Sequence, residues 1–267
     1  MKRKITLLQI LFLCVFVISA LTIGNYYYNK HKTEREMAEL QNAANTDEVA
    51  DEYVPPDERD DEVPPTPEPR AENGMIARYY ELYEKNNDMI GWIKVYDTVI
   101  NYPVVHNAES NSFYLHKNFD KKYSAAGIPF LDCQCRRDGD CDNMIIYGHN
   151  MRNGTMFHQL LSYSDESFSK THKYISFDTL YYKCYYKVFA VFRTNVGGAN
   201  EFKYEQFVDA KSEEEYNAFV DECKKRSIYK TDERPSYGEK LLTLSTCSYS
   251  SKNERYVVVA RLVERTE

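Results

Sequence analysis

The pattern of apolar and polar residues divides the chain into an apolar run, a polar stretch, a proline-rich stretch and a long alternating region. Residues 5–24 are almost wholly apolar and are interrupted mainly by Gln9. A run of about twenty apolar residues is long enough for a helix to cross a bilayer core of about 30 Å. Because a Lys-Arg-Lys triplet precedes the run, we predict that residues 1–4 stay in the cytoplasm and that the remainder is exported.

A cleaved signal peptide is the alternative to an uncleaved anchor. Residues 18–20, Ile-Ser-Ala, resemble a weak cleavage site. We favour the anchor, because the apolar run is longer than the core of an ordinary signal peptide and no clean Ala-x-Ala site follows it.

Two segments connect the apolar run to the alternating region. Residues 25–46 are polar, and we predict that they form a helical stem. Residues 47–70 hold six of the nine prolines in a strongly acidic setting. Such a composition cannot bury a core and predicts an extended spacer. We therefore treat residues 25–70 as a stem and spacer, and residues 71–267 as one folded domain.

The formal net charge of −7 is concentrated in this acidic segment. Eleven acidic and two basic residues lie between Asp47 and Glu72, so the rest of the chain carries a charge of about +2. The overall acidity therefore does not describe the folded domain. No basic stripe is present that would indicate binding to nucleic acid.

The pattern beyond residue 71 predicts many short strands and few helices. Helical spacing predicts helices over residues 75–89, 155–161 and 212–226, and Ser212 is expected to cap the last of these. Runs rich in Tyr, Val and Phe predict strands. These runs cover residues 91–95, 99–105, 143–147, 173–177, 181–192, 240–246 and 256–263. The pattern predicts a mainly β fold, a closed or nearly closed β-barrel with helical decoration.

Outside the apolar run the cysteines show no even or paired spacing, which favours free thiols over a disulfide network. They are Cys133, Cys135, Cys141, Cys184, Cys223 and Cys247. A metal clip built from the three between positions 133 and 141 would lack a matching fourth ligand. We therefore predict neither a metal nor a cofactor.

Cys247 is the first candidate for chemistry. It ends the apolar run that begins at Leu242, and polar residues surround it. The alternative is a buried cysteine that serves as a small apolar residue. A thiol placed where a strand gives way to a loop is, however, in the position of an exposed reactive group.

His149 and Arg255 are the other two candidates. His149 directly follows the predicted strand 143–147, and Gly148 permits a close approach of the backbone. Arg255 stands at the start of the last predicted strand. Taken singly, each could be an ordinary surface residue. A thiol, an imidazole and a permanent cation at strand ends together indicate covalent catalysis by cysteine. The remaining histidines lack a comparable strand-end glycine; they are His31, His106, His116, His158 and His172.

In the segments that carry these three residues, the chain resembles the sortases, the cysteine transpeptidases of Gram-positive cell surfaces. The resemblance rests on Tyr147-Gly148-His149-Asn150-Met151, on Thr243-Leu244-Ser245-Thr246-Cys247 and on Arg255. Class B is indicated by an N-terminal helix that leads into Gly91-Trp92-Ile93, by Asn101-Tyr102-Pro103-Val104 and by a long helix before the cysteine strand. The similarity covers roughly residues 75–265.

The resemblance implies a closed eight-stranded barrel and a role for each candidate. Cys247 would be the nucleophile, His149 the general acid, and Arg255 the group that holds substrate and stabilises the oxyanion. The implied substrate-binding residues are Ser245, Thr246, Asn111 and Leu115. The implied partners are secreted proteins with a C-terminal sorting motif, and a peptidoglycan cross-bridge or lipid II amine.

The resemblance leaves three alternatives to a cell-wall transpeptidase open. A pilin-polymerising sortase would use the same residues with a lysine of another subunit as acceptor. A cysteine hydrolase would pass the acyl group to water. A non-catalytic surface protein on the same barrel would need the thiol, imidazole and guanidinium to lie apart.

Overall fold

The computed structural model describes residues 6–44, 68–197, 201–247 and 253–266. The predicted membrane span and the predicted stem form one continuous helix, α1, Leu7–Ala43. The apolar half of α1 is exposed and has the length and composition of a membrane-crossing helix, although a signal sequence has the same properties. Most of the acidic segment, residues 45–67, lies outside the described residues.

The far end of α1 packs against the folded domain. Thr33, Met37, Leu40 and Ala44 recur every three or four residues and are all buried, as expected for one face of a helix. The side chain of Gln41 donates a hydrogen bond of 2.7 Å to the carbonyl of Asn101. The stem is therefore part of the folded unit.

The domain is a closed barrel of eight strands in the order β1-β2-β3-β4-β7-β8-β6-β5. The strands are β1 Met89–Lys94, β2 Asn101–His106, β3 Phe130–Leu131, β4 Asn143–Tyr147, β5 Tyr174–Thr179, β6 Lys183–Asn195, β7 Leu241–Cys247 and β8 Glu254–Thr266. Three further α-helices are α2 Ala77–Lys85, α3 Glu166–Thr171 and α4 Glu213–Arg226. The predicted mainly β barrel, with an N-terminal helix and a long helix before the cysteine strand, is confirmed.

The first domain helix is shorter than predicted, because Asn86 ends it. The buried side chain of Asn86 donates to the carbonyl of Phe119 at 2.8 Å. Its amide oxygen accepts from the N–H of Asp88 at 3.1 Å, which turns the chain into the strand that begins at Met89. The apolar face ends at Tyr83 and residues 84–88 are all polar, so the predicted end at residue 89 was too late.

Strand β3 and helix α3 were not predicted. A two-residue strand produces no alternation of apolar and polar residues. Strand β3 nevertheless pairs in parallel with β2 and antiparallel with β4, and so completes the barrel. The predicted helix 155–161 is instead the 3-10 helix Phe157–Ser164. The predicted cap of α4 is confirmed, because the hydroxyl of Ser212 accepts from the N–H of Glu215.

The packing of α1 can be tested by replacing Leu40 with Ala. Removing a buried leucine side chain should cost about 2 kcal/mol, which corresponds to roughly thirtyfold more frequent opening of the docked segment. Hydrogen exchange of amides 33–44 in the full chain in detergent measures this. Glu39→Ala is the matched control, since the side chain of Glu39 is 66% exposed. Equal exchange in the two variants would show that the contact does not hold α1.

Candidate active site

Three neighbouring strands bring the predicted catalytic residues to one end of the barrel. Strands β4 and β7 pair in parallel, and Tyr147 lies opposite Ser245. Two residues further along lie the candidates: His149 is two residues past the end of β4, and Cys247 is the last residue of β7. On the other side of β7, the antiparallel β8 places Arg255 opposite Cys247. Since neighbouring strands lie about 4.8 Å apart, the three side chains start from adjacent backbone positions.

Gly148 holds the end of β4 against the cysteine strand. Its N–H donates to the carbonyl of Ser245 at 3.2 Å, and its carbonyl accepts from the hydroxyl of Thr246 at 2.7 Å. A Cβ at this position would stand 2.6 Å from the ring of Phe157. The glycine therefore allows the segment that carries His149 to lie against the barrel.

The imidazole of His149 is held by a backbone carbonyl. Its Nε2 lies 2.8 Å from the carbonyl oxygen of Leu115. Because a carbonyl can only accept, Nε2 carries a proton and Nδ1 is the nitrogen left to exchange one. Burial lowers the pKa of His149, the bond to Leu115 raises it, and the nearby His116 lowers it further.

His116 belongs to the site, although its setting in the sequence does not indicate this. Its ring stacks on that of His149, with a centroid distance of 5.4 Å and an interplanar angle of 22°. The two residues are 33 positions apart, and no local pattern marks His116. Only the approach of the segment after β2 to the end of β4 reveals the pair.

Asn150 links the histidine segment to the nucleophile strand, and it was also missed. Its side-chain amide donates to the carbonyl of Cys247 at 2.8 Å. Its amide oxygen lies 2.7 Å from Nδ1 of His158. The backbone at Cys247 is thus held from both sides, by β8 and by Asn150.

Tyr204 lies within electrostatic range of both Cys247 and Arg255. Burial raises the pKa of Tyr204 to about 12, and among the smaller causes the guanidinium lowers it and the thiol raises it. Cys247 is exposed, so solvent can reach the thiol. The Arg255 guanidinium also donates to the carbonyl of Glu254 at 3.2 Å. The cation and the thiol therefore share one neighbourhood.

The predicted substrate-binding residues divide into two groups. Ser245 and Thr246 are buried and lie beneath the site. The hydroxyl of Ser245 is 2.7 Å from that of Tyr204, and that of Thr246 bonds to Gly148. Asn111 and Leu115 are partly exposed, in the segment that follows β2. Direct contact of any of the four with substrate stays a prediction.

Comparison with known proteins decides the family. The Sortase domain matches residues 93–263, from the first barrel strand through most of the last. The chain belongs to the sortase family. Every predicted catalytic residue lies inside the matched region.

Two relatives place this sortase in class B. Sortase B of Staphylococcus aureus (strain NCTC 8325 / PS 47) is 29% identical over 267 residues, which cover 99% of this chain and 98% of the relative. Sortase B of Listeria monocytogenes serovar 1/2a (strain ATCC BAA-679 / EGD-e) is 32% identical over 189 residues, which cover 69% of this chain and 74% of the relative. The predicted resemblance to class B is confirmed.

Solved sortase B structures share the fold. A Staphylococcus aureus sortase B–substrate complex superposes with a TM-score of 0.71 at 28% identity, over 88% of this chain and 98% of that one. Sortase B from B. anthracis in complex with AAEK1 gives a TM-score of 0.71 at 30% identity, over 89% of this chain and 99% of that one. The similarity thus extends beyond the matched domain.

Cys135 and Cys141 form a thiol pair apart from the three candidate side chains of this sortase. Both are free and buried. The bond to Cys141, followed by burial, raises the pKa of Cys135; the same bond lowers the pKa of Cys141. Cys141 also accepts from the N–H of Arg136 at 3.1 Å. Across the described residues, no group of three or more His, Cys, Asp and Glu side chains is placed to hold a metal.

Titration of His149 tests the geometry of the imidazole. The pKa of His149 should lie below its ordinary value of about 6.5, and His116→Gln should move it upward, because a like charge is removed. Histidine-labelled NMR of the full chain in detergent measures both values. His172→Gln, on a ring stacked with Phe168 instead, should leave the pKa unchanged. An identical value in the wild type and in His116→Gln would contradict the contact.

Proposed function

We propose that this class B sortase cleaves a C-terminal sorting motif of secreted proteins and transfers the acyl group to a peptidoglycan cross-bridge amine. The observation that carries the proposal is the meeting of Cys247, His149 and Arg255 at the ends of three adjacent strands. A non-catalytic protein would not need a solvent-accessible thiol opposite a fixed cation.

The first half-reaction forms an acyl-enzyme. The thiolate of Cys247 attacks the carbonyl carbon of the scissile peptide, and the guanidinium of Arg255 stabilises the oxyanion that develops. Arginine keeps its charge at all working pH values, so it does so without proton exchange. Collapse of the intermediate breaks the C–N bond and leaves the acyl group on sulfur.

His149 moves the proton in this scheme. Burial lowers its pKa, so the neutral imidazole predominates near pH 7 and can take the thiol proton at Nδ1. The resulting imidazolium then protonates the leaving amine as general acid. In the second half-reaction an incoming amine loses its proton to the neutral imidazole and attacks the thioester, which restores the thiol.

The proposed peptide site lies along the floor beside the thiol. We propose that Asn111 and Leu115 approach the bound peptide from the segment after β2. Ser245 and Thr246 would act from β7, beneath the peptide. The side chains of Leu115 and Asn111 remain partly open to solvent, which supports this arrangement.

We further propose that α1 anchors the enzyme in the membrane, with residues 1–4 in the cytoplasm and the barrel outside the cell. The apolar half of α1 has the length and composition for this. The Lys-Arg-Lys triplet at positions 2–4 favours that orientation. Both the sorting-motif proteins and the cross-bridge acceptors would then lie on the barrel's side of the membrane.

Replacing Cys247 with Ala should abolish cleavage of sorting-motif peptides, because the acyl-enzyme cannot form. A fluorogenic pentapeptide library with the full chain in detergent measures this. Cys133→Ala is the matched control, since Cys133 is a partly exposed free thiol and should leave cleavage unchanged. If Cys247→Ala still cleaved the peptides, the proposed function would be contradicted.

The acceptor can be identified from the product. With a cross-bridge peptide present, we expect mass spectrometry to find the peptide joined to the new carboxyl end, at a rate that rises with acceptor concentration. A lysine isopeptide to a pilin subunit would indicate polymerisation instead. A product with a free carboxylate, formed in a yield that does not change when amines are added, would indicate a hydrolase.

A further inference from the structure

Asp132 is a buried carboxylate at the centre of a hydrogen-bond cluster beside the active site. It follows β3 directly and is 1% exposed. Its Oδ2 accepts from the side-chain amide of Asn111 at 2.9 Å and from the hydroxyl of Tyr147 at 2.8 Å. Its Oδ1 accepts from the backbone N–H of Gln134 at 2.8 Å and from the side-chain amide of Gln134 at 3.3 Å.

The two partners on Oδ2 lead to His149 by separate routes. Tyr147 is the last residue of β4, two residues before His149. Asn111 stands four residues before Leu115, whose carbonyl holds Nε2 of the imidazole. One oxygen atom therefore fixes both the strand that carries the histidine and the segment that orients its ring.

Asn111 strengthens the second route. Its amide oxygen accepts from the N–H of Cys133 at 2.7 Å, so the side chain bridges the carboxylate of Asp132 and the adjacent backbone. The segment after β2 is thereby pinned to the turn after β3. Leu115 lies only four residues beyond this anchor.

We propose that Asp132 is a positioning residue for the sortase reaction, which orients the imidazole of His149 through Tyr147 and through the Asn111–Leu115 segment. The inference rests on the proposed function, in which His149 exchanges protons. Asp132 touches none of the reacting groups and acts only through these neighbours.

Asparagine cannot replace this carboxylate without loss. If the oxygen of the new amide took the place of Oδ2, its NH2 group would face the two donors of Gln134. If the amide were turned round, the NH2 group would face Asn111 and Tyr147. The first orientation loses both part-buried bonds from Gln134, and the second loses the bonds from Asn111 and Tyr147, so each orientation loses bonds that the carboxylate makes. The side chain otherwise keeps its size, so packing is preserved.

The test is Asp132→Asn in the full chain, assayed for peptide cleavage. A displaced general acid should lower kcat by about ten- to a hundredfold, with a smaller change in KM. Asp178→Asn is the matched control. Asp178 is also buried and accepts from Tyr79 at 2.8 Å, but lies on β5, which pairs with β1 and β6. That variant should lower the melting temperature and leave kcat unchanged.

The tautomer of His149 supplies a readout that needs no substrate. Nitrogen-15 shifts of the imidazole should report protonation at Nε2 in the wild type and in Asp178→Asn. In Asp132→Asn they should report a mixture of both tautomers, because the bond to Leu115 is loosened. If the wild type cleaved no peptide, the proposed function would fail, while this measurement would still test Asp132.

Three results would overturn the proposal. A fall in melting temperature with kcat and the tautomer unchanged would make Asp132 a residue of stability alone. A rise in KM alone would make it a support for substrate binding. If Asp132→Asn does not fold, two other variants test the proposal. Tyr147→Phe removes the first route and Asn111→Ala removes the second. Each variant must then lower kcat and give a mixture of the two His149 tautomers. An unchanged kcat in either would contradict the two-route coupling.

Discussion

The parallel pairing of β4 with β7 is the constraint on which the site depends. Adjacent parallel strands end at the same edge of a sheet, so residues at or just past the two strand ends lie close together. Here those residues are His149 and Cys247, and the register from Asn143 opposite Leu241 to Tyr147 opposite Ser245 runs without a break. A slip of one residue would turn every side chain to the other face. The bonds of Gly148 to Ser245 and Thr246 secure the register at its functional end.

Parallel pairing also explains why the catalytic residues stand far apart in the chain. Parallel neighbours cannot be joined by a tight turn and need a long crossover. The crossover between Tyr147 and Leu241 contains β5, β6 and the long helix α4, so the connection itself builds the far side of the barrel. Antiparallel β8 then returns directly from β7 and places Arg255 beside the thiol. The three groups of the site thus come from two distant parts of the sequence by topology alone.

The sequence predicted this framework well, because strands that bury one face leave a readable pattern. The run before His149 and the two closing strands were placed to within a few residues, and Ser212 was identified as a helix cap. The pattern could not reveal His116, Asn150, Asp132 or Tyr204, since each acquires its neighbours only when distant segments meet. Strand β3 could not be predicted either, because two residues show no periodicity. Its role, too, comes only from the strands with which it pairs. Roles assigned by resemblance to Cys247, His149 and Arg255 remain predictions, although the structure brings their strands together.

Helix α1, the proposed anchor, changes the interpretation of the acidic segment. Ala44, at the end of α1, is fully buried, and Glu68, on the far side of residues 45–67, is paired with Arg78 and Lys183 of the domain. Both ends of the segment therefore rest on the same folded unit, so under the proposed anchoring its length would not set the distance between the barrel and the membrane. That distance follows from α1 itself. From Gly24, where the apolar run ends, to the first buried position, Thr33, a helix rises only about 14 Å, so the proposed anchor would leave the barrel little freedom to move away from the bilayer.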